Sequence, residues 1–212
     1  MATGVKVKVC GITRSEDATV AAGAGADYLG FIFYTKSPRA ISSERFEALR
    51  AGLPAIPLVY VEVTPSPDAL RWARESGFSC FQVHFPGDYP IEELEAWSEE
   101  AGAENLWLAP RRRPGEPFPE VLLPLAGTFL VDTYKAEGFG GSGETGDWEE
   151  FRRLADRFPE KNWILAGGLN PDNIAEAVRR SGARTVDVNS GLESSPGRKD
   201  AGRIRKLFAE LG

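Results

Sequence analysis

Residues 5–13 read VKVKVCGIT, and this stretch decides how the rest of the chain is interpreted. Its valines alternate with polar residues, so the valines should face one side of a β-strand and Lys8 and Cys10 the other. Gly11 allows the backbone to turn sharply directly after the cysteine. Cys10 is therefore predicted at the carboxyl end of a first strand, the edge at which parallel α/β proteins bind ligands.

Strand and helix signals alternate eight times along the sequence. Capping patterns at Thr13, Ser66, Asp147 and Asn170 indicate where helices begin. A short helix is also predicted over residues 119–125, in the part of the chain where prolines are most frequent. The strands are predicted at residues 5–12, 28–33, 56–63, 80–85, 106–109, 128–132, 163–166 and 185–188.

Eight strand–helix units with short connections predict an α/β protein, a (β/α)8 TIM barrel of eight parallel strands. A doubly wound open sheet is the competing architecture, although it rarely needs eight regular units. The 212 residues fit one barrel domain over residues 1–212, because such barrels commonly run to about 200–250 residues undivided. No low-complexity segment or linker indicates a second domain.

The composition narrows the classes of partner. The net charge is −6 and the pI is about 5.1, and an acidic surface repels nucleic acid and anionic membranes. No apolar run approaches the roughly 20 residues that span a bilayer, and the N-terminus lacks the apolar core of a signal peptide. Two cysteines make no disulfide framework, so a reducing cytoplasm is the expected location.

Glycine-rich loops follow the last three predicted strands. They read GFGGSG at residues 138–143, AGGLNP at 166–171 and NSGLE at 189–193. Barrels often bind phosphate at the loops after strands seven and eight, where backbone N–H groups can approach an anion. The alternative is that these glycines only make tight turns. The candidate phosphate-binding residues are Gly141, Ser142, Gly143, Gly167, Gly168, Ser190 and Gly191.

Two further residues are placed at the same rim by strand alternation. Asp132 ends strand six and should point inward together with Leu130, although a loop-bracing aspartate is an alternative interpretation. Cys10 could equally be a small buried hydrophobe, as most free cysteines are. Their rim positions make both candidates for catalysis.

His84 and Arg39 leave two interpretations open. His84 is the only histidine, and it either contacts a substrate or is a satisfied polar group. A single histidine cannot build a histidine-rich metal site, so no metal is expected. Arg39, in the loop after strand two, either grips a carboxylate bidentately or is an exposed loop arginine.

Taken together, these motifs resemble phosphoribosylanthranilate isomerase, in the right order and over nearly the whole chain. The similarity implies an Amadori rearrangement in tryptophan biosynthesis, acting on a small phosphoribosyl substrate without cofactor or metal. The segments that carry it are KVCGIT at residues 8–13, LGFIF at 29–33, SPR at 37–39, QVH at 82–84, VDT at 131–133, GGSG at 140–143, AGGLNP at 166–171 and VDVNSG at 186–191.

The resemblance also implies roles for individual residues. Cys10 corresponds to the general base of the family and Asp132 to its general acid. Arg39 would hold the anthranilate carboxylate, and the glycine-rich loops would bind the phosphate. Two departures stand out: Phe85 occupies a position where the family has glycine, so that a larger side chain would crowd the rim, and Asn189 replaces the usual serine.

Two classes of alternative remain. Another phosphosugar barrel enzyme is one, but a ribulose-phosphate epimerase should show metal-ligating histidines and an indoleglycerol-phosphate synthase several catalytic lysines. A non-catalytic phosphosugar-binding protein is the other, and it would not need both Cys10 and Asp132 at the rim. The sequence does not set the oligomeric state, and a homodimer is an open alternative.

Two structural expectations follow from the same pattern. Strands one and eight become neighbours when a barrel closes, which should pair Lys8 with Asp187, because a lone buried ammonium is costly. The loop over residues 135–145 holds four glycines and few apolar anchors, so it should be mobile without ligand.

Overall fold

A computed structural model of the chain describes residues 4–113, 115–132 and 147–212. Eight parallel strands form a closed barrel in which each strand pairs with its sequence neighbours and β1 pairs with β8. This confirms the predicted (β/α)8 fold. The strands are β1 (Lys6–Val9), β2 (Tyr28–Ile32), β3 (Leu58–Val63), β4 (Cys80–Pro86), β5 (Leu106–Arg111), β6 (Thr128–Val131), β7 (Asn162–Leu165) and β8 (Thr185–Val188).

Helices alternate with these strands, except that a 3₁₀ helix, Glu120–Leu125, follows β5. It occupies the position where a short helix was predicted. None of the described helices has both the length and the apolar composition needed to cross a membrane. The α-helices are α1 (Ser15–Ala24), α2 (Ser43–Arg50), α3 (Pro67–Glu75), α4 (Ile91–Ala101), α5 (Trp148–Arg157), α6 (Ile174–Ser181) and α7 (Ala201–Glu210).

The two faces of the barrel strands bury two separate apolar groups. The valines of β1 pack outward, where Val7 and Val9 join the large core between the strands and the helices. Cys10 belongs to the smaller group inside the barrel. Strand alternation therefore predicted correctly that Cys10 and the valines face opposite sides of the strand. The interior group is Cys10, Ile32, Val59, Val61, Trp107, Ala109, Leu130, Ile164 and Ala166.

Barrel closure places Lys8 directly opposite Asp187 in the register of β1 and β8. The Lys8 Nζ lies 2.9 Å from Asp187 Oδ1, and the lysine side chain is fully buried. The predicted ion pair is therefore confirmed. Burial opposes the charge on Lys8, but attraction to Asp187 and Cys10 outweighs it and raises the pKa of the lysine.

Two predicted helix caps are wrong. Arg14, not Thr13, is the N-cap of α1, and the Thr13 hydroxyl donates instead to the carbonyl of Gly197. Helix α6 begins at Ile174, so Asn170 does not cap it; its side chain accepts from the backbone of Asp172 in the preceding turn. The partner of Thr13 is distant in the sequence, whereas Asn170 makes a local bond of the kind found in Asx turns.

The predicted caps Ser66 and Asp147 are confirmed, since each accepts hydrogen bonds from backbone N–H groups of its helix. A small antiparallel hairpin after β8 was not predicted. Its strands are β9 (Glu193–Ser195) and β10 (Arg198–Lys199). The hairpin contacts the loop after β1, because Thr13 bonds to Gly197 at its turn.

Candidate active site

A cavity of about 350 Å³ opens among the loops that follow the barrel strands. Its wall combines residues from the ends of β1, β2, β3, β4, β6, β7 and β8, so the barrel brings together groups that are far apart in sequence. Gly141, Ser142 and Gly143 lie outside the described residues, as does the loop over residues 135–145. The predicted site residues on the cavity wall are Cys10, Arg39, His84, Asp132, Gly167, Gly168 and Ser190.

Cys10 lies directly after β1 and is almost fully buried, with 3% of its surface exposed. Burial raises the pKa of the thiol, and the Lys8 charge offsets only part of this effect. The Lys8 charge favours the thiolate, but desolvation has the larger effect on the pKa of Cys10. Cys10 is therefore mainly a thiol at neutral pH, with a thiolate that Lys8 helps to make accessible.

Gly30 on β2 leaves room for these two side chains. A Cβ atom at Gly30 would lie 2.9 Å from Cys10 Sγ and 2.9 Å from Lys8 Cε, closer than a Cβ atom normally approaches another heavy atom. The LGFIF motif thus has a packing reason, since any side chain at Gly30 would push Lys8 or Cys10 from its position.

Asp132 follows the last residue of β6 and is half-buried on the cavity wall. The preceding inward residue, Leu130, is 3% exposed and packs inside the barrel. Cys10 and Asp132 therefore reach one cavity from well-separated strands, as strand alternation predicted. A substrate placed between them would meet a thiol and a carboxyl group.

His84 and Gln82 lie on the same face of β4, and both line the cavity. Burial lowers the pKa of His84 to about 4, with a smaller contribution from the charge of Lys8, so the imidazole is neutral at pH 7. The Gln82 Nε2 lies 2.8 Å from His84 Nε2, and the amide therefore donates to the ring nitrogen. Phe85 points away from the cavity and packs against Trp97. The expectation that its side chain would crowd the rim is therefore wrong.

Arg39 is held in place by a turn that folds back on β2. The Ser37 hydroxyl accepts from the Arg39 backbone at 3.2 Å, and Ala40 forms a parallel bridge with Ile32. The guanidinium is half-buried and binds Glu193, with Nε 2.8 Å from Oε1 and Nη2 2.7 Å from Oε2. Arg39 is thus not a freely exposed loop arginine.

Glu193 binds a residue of the cavity wall, Arg39, and sequence reasoning did not single it out. It accepts from Arg39, from Lys199 Nζ at 3.0 Å and from the Gly197 backbone at 3.2 Å. Arg39 and Glu193 are 154 residues apart in the chain. No local periodicity connects them, and only the hairpin geometry reveals the pair.

The loop after β7 is built on two glycines in the left-handed region. Gly167 has φ +90° and Gly168 has φ +64°, conformations that other residues rarely adopt. The side-chain amides of Asn170 and Asn173 both donate to the Gly168 carbonyl, at 3.2 and 2.9 Å. Among the described residues, none accepts a hydrogen bond from the N–H groups of Gly167, Gly168 or Ser190. These donors suit an anion.

Gly191 lies behind the cavity wall, where the loops after β7 and β8 touch. A Cβ atom there would lie 2.1 Å from the Leu169 carbonyl oxygen and 2.7 Å from Asn170 Cβ. A backbone atom cannot move aside as a flexible side chain can. Gly191 is therefore needed for the two loops to approach each other.

Gly191→Ala should force the loops after β7 and β8 apart and weaken phosphate binding by about tenfold or more, because small displacements of a binding group are costly. The measurement is the inhibition constant of inorganic phosphate. Gly23→Ala on α1 is the control, since a Cβ atom there meets no heavy atom within 4 Å. Equal phosphate affinity in the wild type and the Gly191 variant would contradict this role.

The described residues hold no group of three or more His, Cys, Asp or Glu side chains arranged to bind a metal ion. The cavity wall carries the Cys10 thiol, the neutral imidazole of His84, two cationic side chains and three carboxyl groups. The cations are Lys36 and Arg39, and the carboxyl groups are those of Glu62, Asp132 and Asp187. The N–H donors of the loops after β7 and β8 that have no acceptor among the described residues lie beside them.

Comparison with known proteins identifies the family. The family model of N-(5'-phosphoribosyl)anthranilate (PRA) isomerase matches residues 7–210. A curated N-(5'-phosphoribosyl)anthranilate isomerase of Rubrobacter xylanophilus is 39% identical over 208 residues, covering 96% of this chain and 97% of the relative.

Solved structures agree. Phosphoribosylanthranilate isomerase of Thermotoga maritima superposes with a TM-score of 0.83 at 34% identity, covering 98% of both chains. Another, solved with reduced 1-(o-carboxyphenylamino)-1-deoxyribulose 5-phosphate, has a TM-score of 0.77 at 31% identity, again over 98% of both chains. Since the match of sequence and fold extends over nearly the full length, this chain belongs to the N-(5'-phosphoribosyl)anthranilate isomerase family.

Proposed function

We propose that this chain converts N-(5-phosphoribosyl)anthranilate to 1-(2-carboxyphenylamino)-1-deoxyribulose 5-phosphate, with Cys10 as general base and Asp132 as general acid. The observation that carries the assignment of roles is that these two residues, from β1 and β6, line the same cavity. The reaction is an Amadori rearrangement within tryptophan biosynthesis.

The two roles divide the proton transfers. Asp132, while protonated, donates to the furanose ring oxygen as the bond from that oxygen to C1 breaks, and the anilino nitrogen electrons form an iminium ion. A thiolate at Cys10 then removes the C2 proton, and the C2–H electrons give the neutral enolamine. Tautomerisation of the enolamine yields the ketone, so that no atoms are gained or lost. General acid–base groups typically contribute about 10²–10⁴-fold each.

The remaining groups supply binding and orientation. Arg39 would hold the anthranilate carboxylate, and the loops with Gly167, Gly168 and Ser190 would bind the phosphate through backbone N–H groups. The loop with Gly141, Ser142 and Gly143 is proposed to complete the phosphate site. His84, being neutral, would contact the substrate by hydrogen bonding and not as a charge. Binding energy from the phosphate end is available to position the reacting carbons.

The decisive assay follows freshly generated N-(5-phosphoribosyl)anthranilate as its anthranilate-type fluorescence disappears on product formation. An isomerase removes the fluorescence catalytically. A phosphosugar-binding protein would bind the substrate and leave the fluorescence of the free pool unchanged, and another phosphosugar enzyme would show no turnover of this compound.

Arg39→Ala should raise KM by roughly tenfold or more while kcat falls less, because a carboxylate present in both ground and transition states is bound equally in each. Steady-state kinetics separate the two constants. Arg157→Ala is the control, since Arg157 pairs with Glu120 outside the cavity. If KM is unchanged in Arg39→Ala, the arginine only braces its loop.

Two further proposals concern the setting of the enzyme. A homodimer is proposed as its assembly, to be measured by light scattering. A cytoplasmic location is proposed as well, and it is supported by the two free cysteines, Cys10 and Cys80, which suit a reducing compartment.

A further inference from the structure

Three charged side chains meet beside the cavity, and we refer to Arg39, Glu193 and Lys199 as the charge cluster. Glu193 is its centre, because it binds Arg39 on one side and Lys199 Nζ on the other, the latter at 3.0 Å. The side chain of Lys199 is fully buried and that of Glu193 is 4% exposed. Interactions between such desolvated charges are screened little by water or salt.

Lys199 is also fixed from a second side. Its Nζ donates to the Asn189 carbonyl at 3.1 Å and to Asn189 Oδ1 at 2.9 Å. Asn189 in turn packs against Gly11, where a Cβ atom would lie 2.6 Å from Asn189 Oδ1. The amide that replaces the usual serine therefore anchors the lysine beside the turn that follows Cys10.

The hydrogen bonds to Glu193 leave one edge of the Arg39 guanidinium available. Glu193 occupies the Nε and Nη2 edge. Nη1 donates to none of the described residues, and it forms, with Nη2, the end of the planar group. Such an edge binds a carboxylate bidentately. Arg39 itself lines the cavity, so this edge is the part that a ligand can use.

The charge count of the cluster explains why Lys199 is present. Glu193 alone would neutralise Arg39 and leave little attraction for a second carboxylate. Burial acts against the Glu193 charge, but Arg39 and Lys199 outweigh it and lower its pKa, so the group is ionised. Burial lowers the pKa of Lys199 from its ordinary value of 10.5, and attraction to Glu193 acts against this shift. With Lys199 protonated, the cluster has two cations and one anion, and it keeps one net positive charge at the cavity wall.

We propose that Lys199 and Glu193 are positioning residues for the substrate carboxylate: Glu193 orients Arg39, and Lys199 balances the charge of Glu193 so that Arg39 remains an effective cation. The inference rests on the proposed function, because it assumes that Arg39 meets the anthranilate carboxylate. These two residues would contribute to specificity for the substrate carboxylate, and they are separate from the proposed acid and base.

The test compares two ligands. One is reduced 1-(o-carboxyphenylamino)-1-deoxyribulose 5-phosphate, and the other is the same compound with an unsubstituted phenylamino group. Both carry the phosphate, so the ratio of their dissociation constants reports the carboxylate interaction alone. We call this ratio the carboxylate preference, and it is measured by calorimetry on the full chain.

Lys199→Met should lower the carboxylate preference by roughly tenfold, the value of one weakened charge-assisted hydrogen bond. Adding Glu193→Gln to Lys199→Met removes the unbalanced anion, and the preference should return to within about threefold of the wild type. Glu193→Gln alone removes the anion but keeps a side-chain oxygen that can accept a hydrogen bond from Arg39, so Arg39 stays oriented and the preference should not fall. If Glu193 and Lys199 had a purely structural role, the double variant should instead have a lower carboxylate preference than either single variant.

Glu100→Gln is the matched control, because Glu100 also joins two cations, Arg71 and Arg74, but between α3 and α4. It should leave the carboxylate preference unchanged. If Lys199→Met does not fold, the carboxylate preference of Glu193→Gln still tests the proposal. Lys199→Gln then replaces Lys199→Met, and it is measured both alone and combined with Glu193→Gln. A lower preference in Glu193→Gln, or no rescue in the double variant, overturns the proposal.

The outcomes separate this inference from the function on which it rests. A wild-type protein that does not turn over N-(5-phosphoribosyl)anthranilate contradicts the proposed function. A wild type that turns it over and prefers the carboxylate ligand, with Lys199→Met showing the same preference, contradicts the charge cluster alone.

Discussion

Cys10→Ala and Asp132→Asn are each expected to lower kcat by at least about two orders of magnitude, which is the usual loss when a general base or acid is removed. Phosphate binding should stay nearly intact in both, because neither side chain belongs to the glycine loops after β7 and β8. Cys10→Ser should also have a low kcat, since a serine hydroxyl is a far weaker acid than a thiol and rarely forms the anion. The measurements are steady-state kinetics and phosphate inhibition.

Cys80 provides a matched control for the cysteine. It begins β4, opposite Val59 in the strand register, and does not line the cavity. Cys80→Ala should therefore retain kcat. If Cys10→Ala instead kept more than about a tenth of the wild-type kcat, that is too much for a lost general base, and Cys10 would be only a packed small side chain.

The pH profile follows from the same two roles. One group must be deprotonated and the other protonated, so the plot of kcat against pH should be bell-shaped, with apparent pKa values that belong to the pair. Burial raises the pKa of Cys10, which keeps the thiolate fraction small at neutral pH. Asp132→Asn should remove one limb of the bell from the residual activity.

Lys8→Met should destabilise the fold by about 3–5 kcal/mol, because it leaves the Asp187 carboxylate buried without its partner. The free energy of unfolding in urea measures the loss. The Lys8 pKa lies above its ordinary value of 10.5 in the folded state, so the ion pair stabilises fully below that pH and its contribution is lost as the pH rises further.

A surface pair serves as the control for Lys8. Lys206 and Asp172 also form an ion pair, but their side chains are 54% and 79% exposed. Lys206→Met should leave the free energy of unfolding nearly unchanged, because exposed pairs contribute little. Lys8→Met combined with Asp187→Asn should recover part of the loss. A Lys8→Met protein as stable as the wild type would show that Asp187 finds another partner or a proton.

Much of the site was predictable because strand alternation is a strictly local rule. It placed Cys10, Asp132 and His84 on the inner face of their strands, and barrel closure then made Lys8 and Asp187 neighbours. The partners of polar loop residues follow no such rule. Thr13 was predicted to cap a helix, yet its hydroxyl binds Gly197, 184 residues away.

The glycines also differ in whether local sequence explains them. The turns at Gly167 and Gly168 are readable as glycine-rich loops, whereas the close contacts of Gly30 and Gly191 depend on atoms from other strands and loops. The contacts of Glu193 and Lys199 also depend on a distant residue, because Arg39 lies near the other end of the sequence. Sequence patterns therefore predicted the placement of Cys10 and Asp132 on the cavity wall better than the contacts around Arg39.

The pairing of β1 with β8 also constrains when the protein can fold on the ribosome. Lys8 and Asp187 are 179 residues apart, and at a translation rate of about 5–20 residues per second the lysine waits roughly 10–40 seconds for its partner. During that interval one edge of β1 has no strand to bind. The nascent chain therefore closes its barrel only after β8 has been synthesised, and until then the unpaired edge of β1 can pair with other chains.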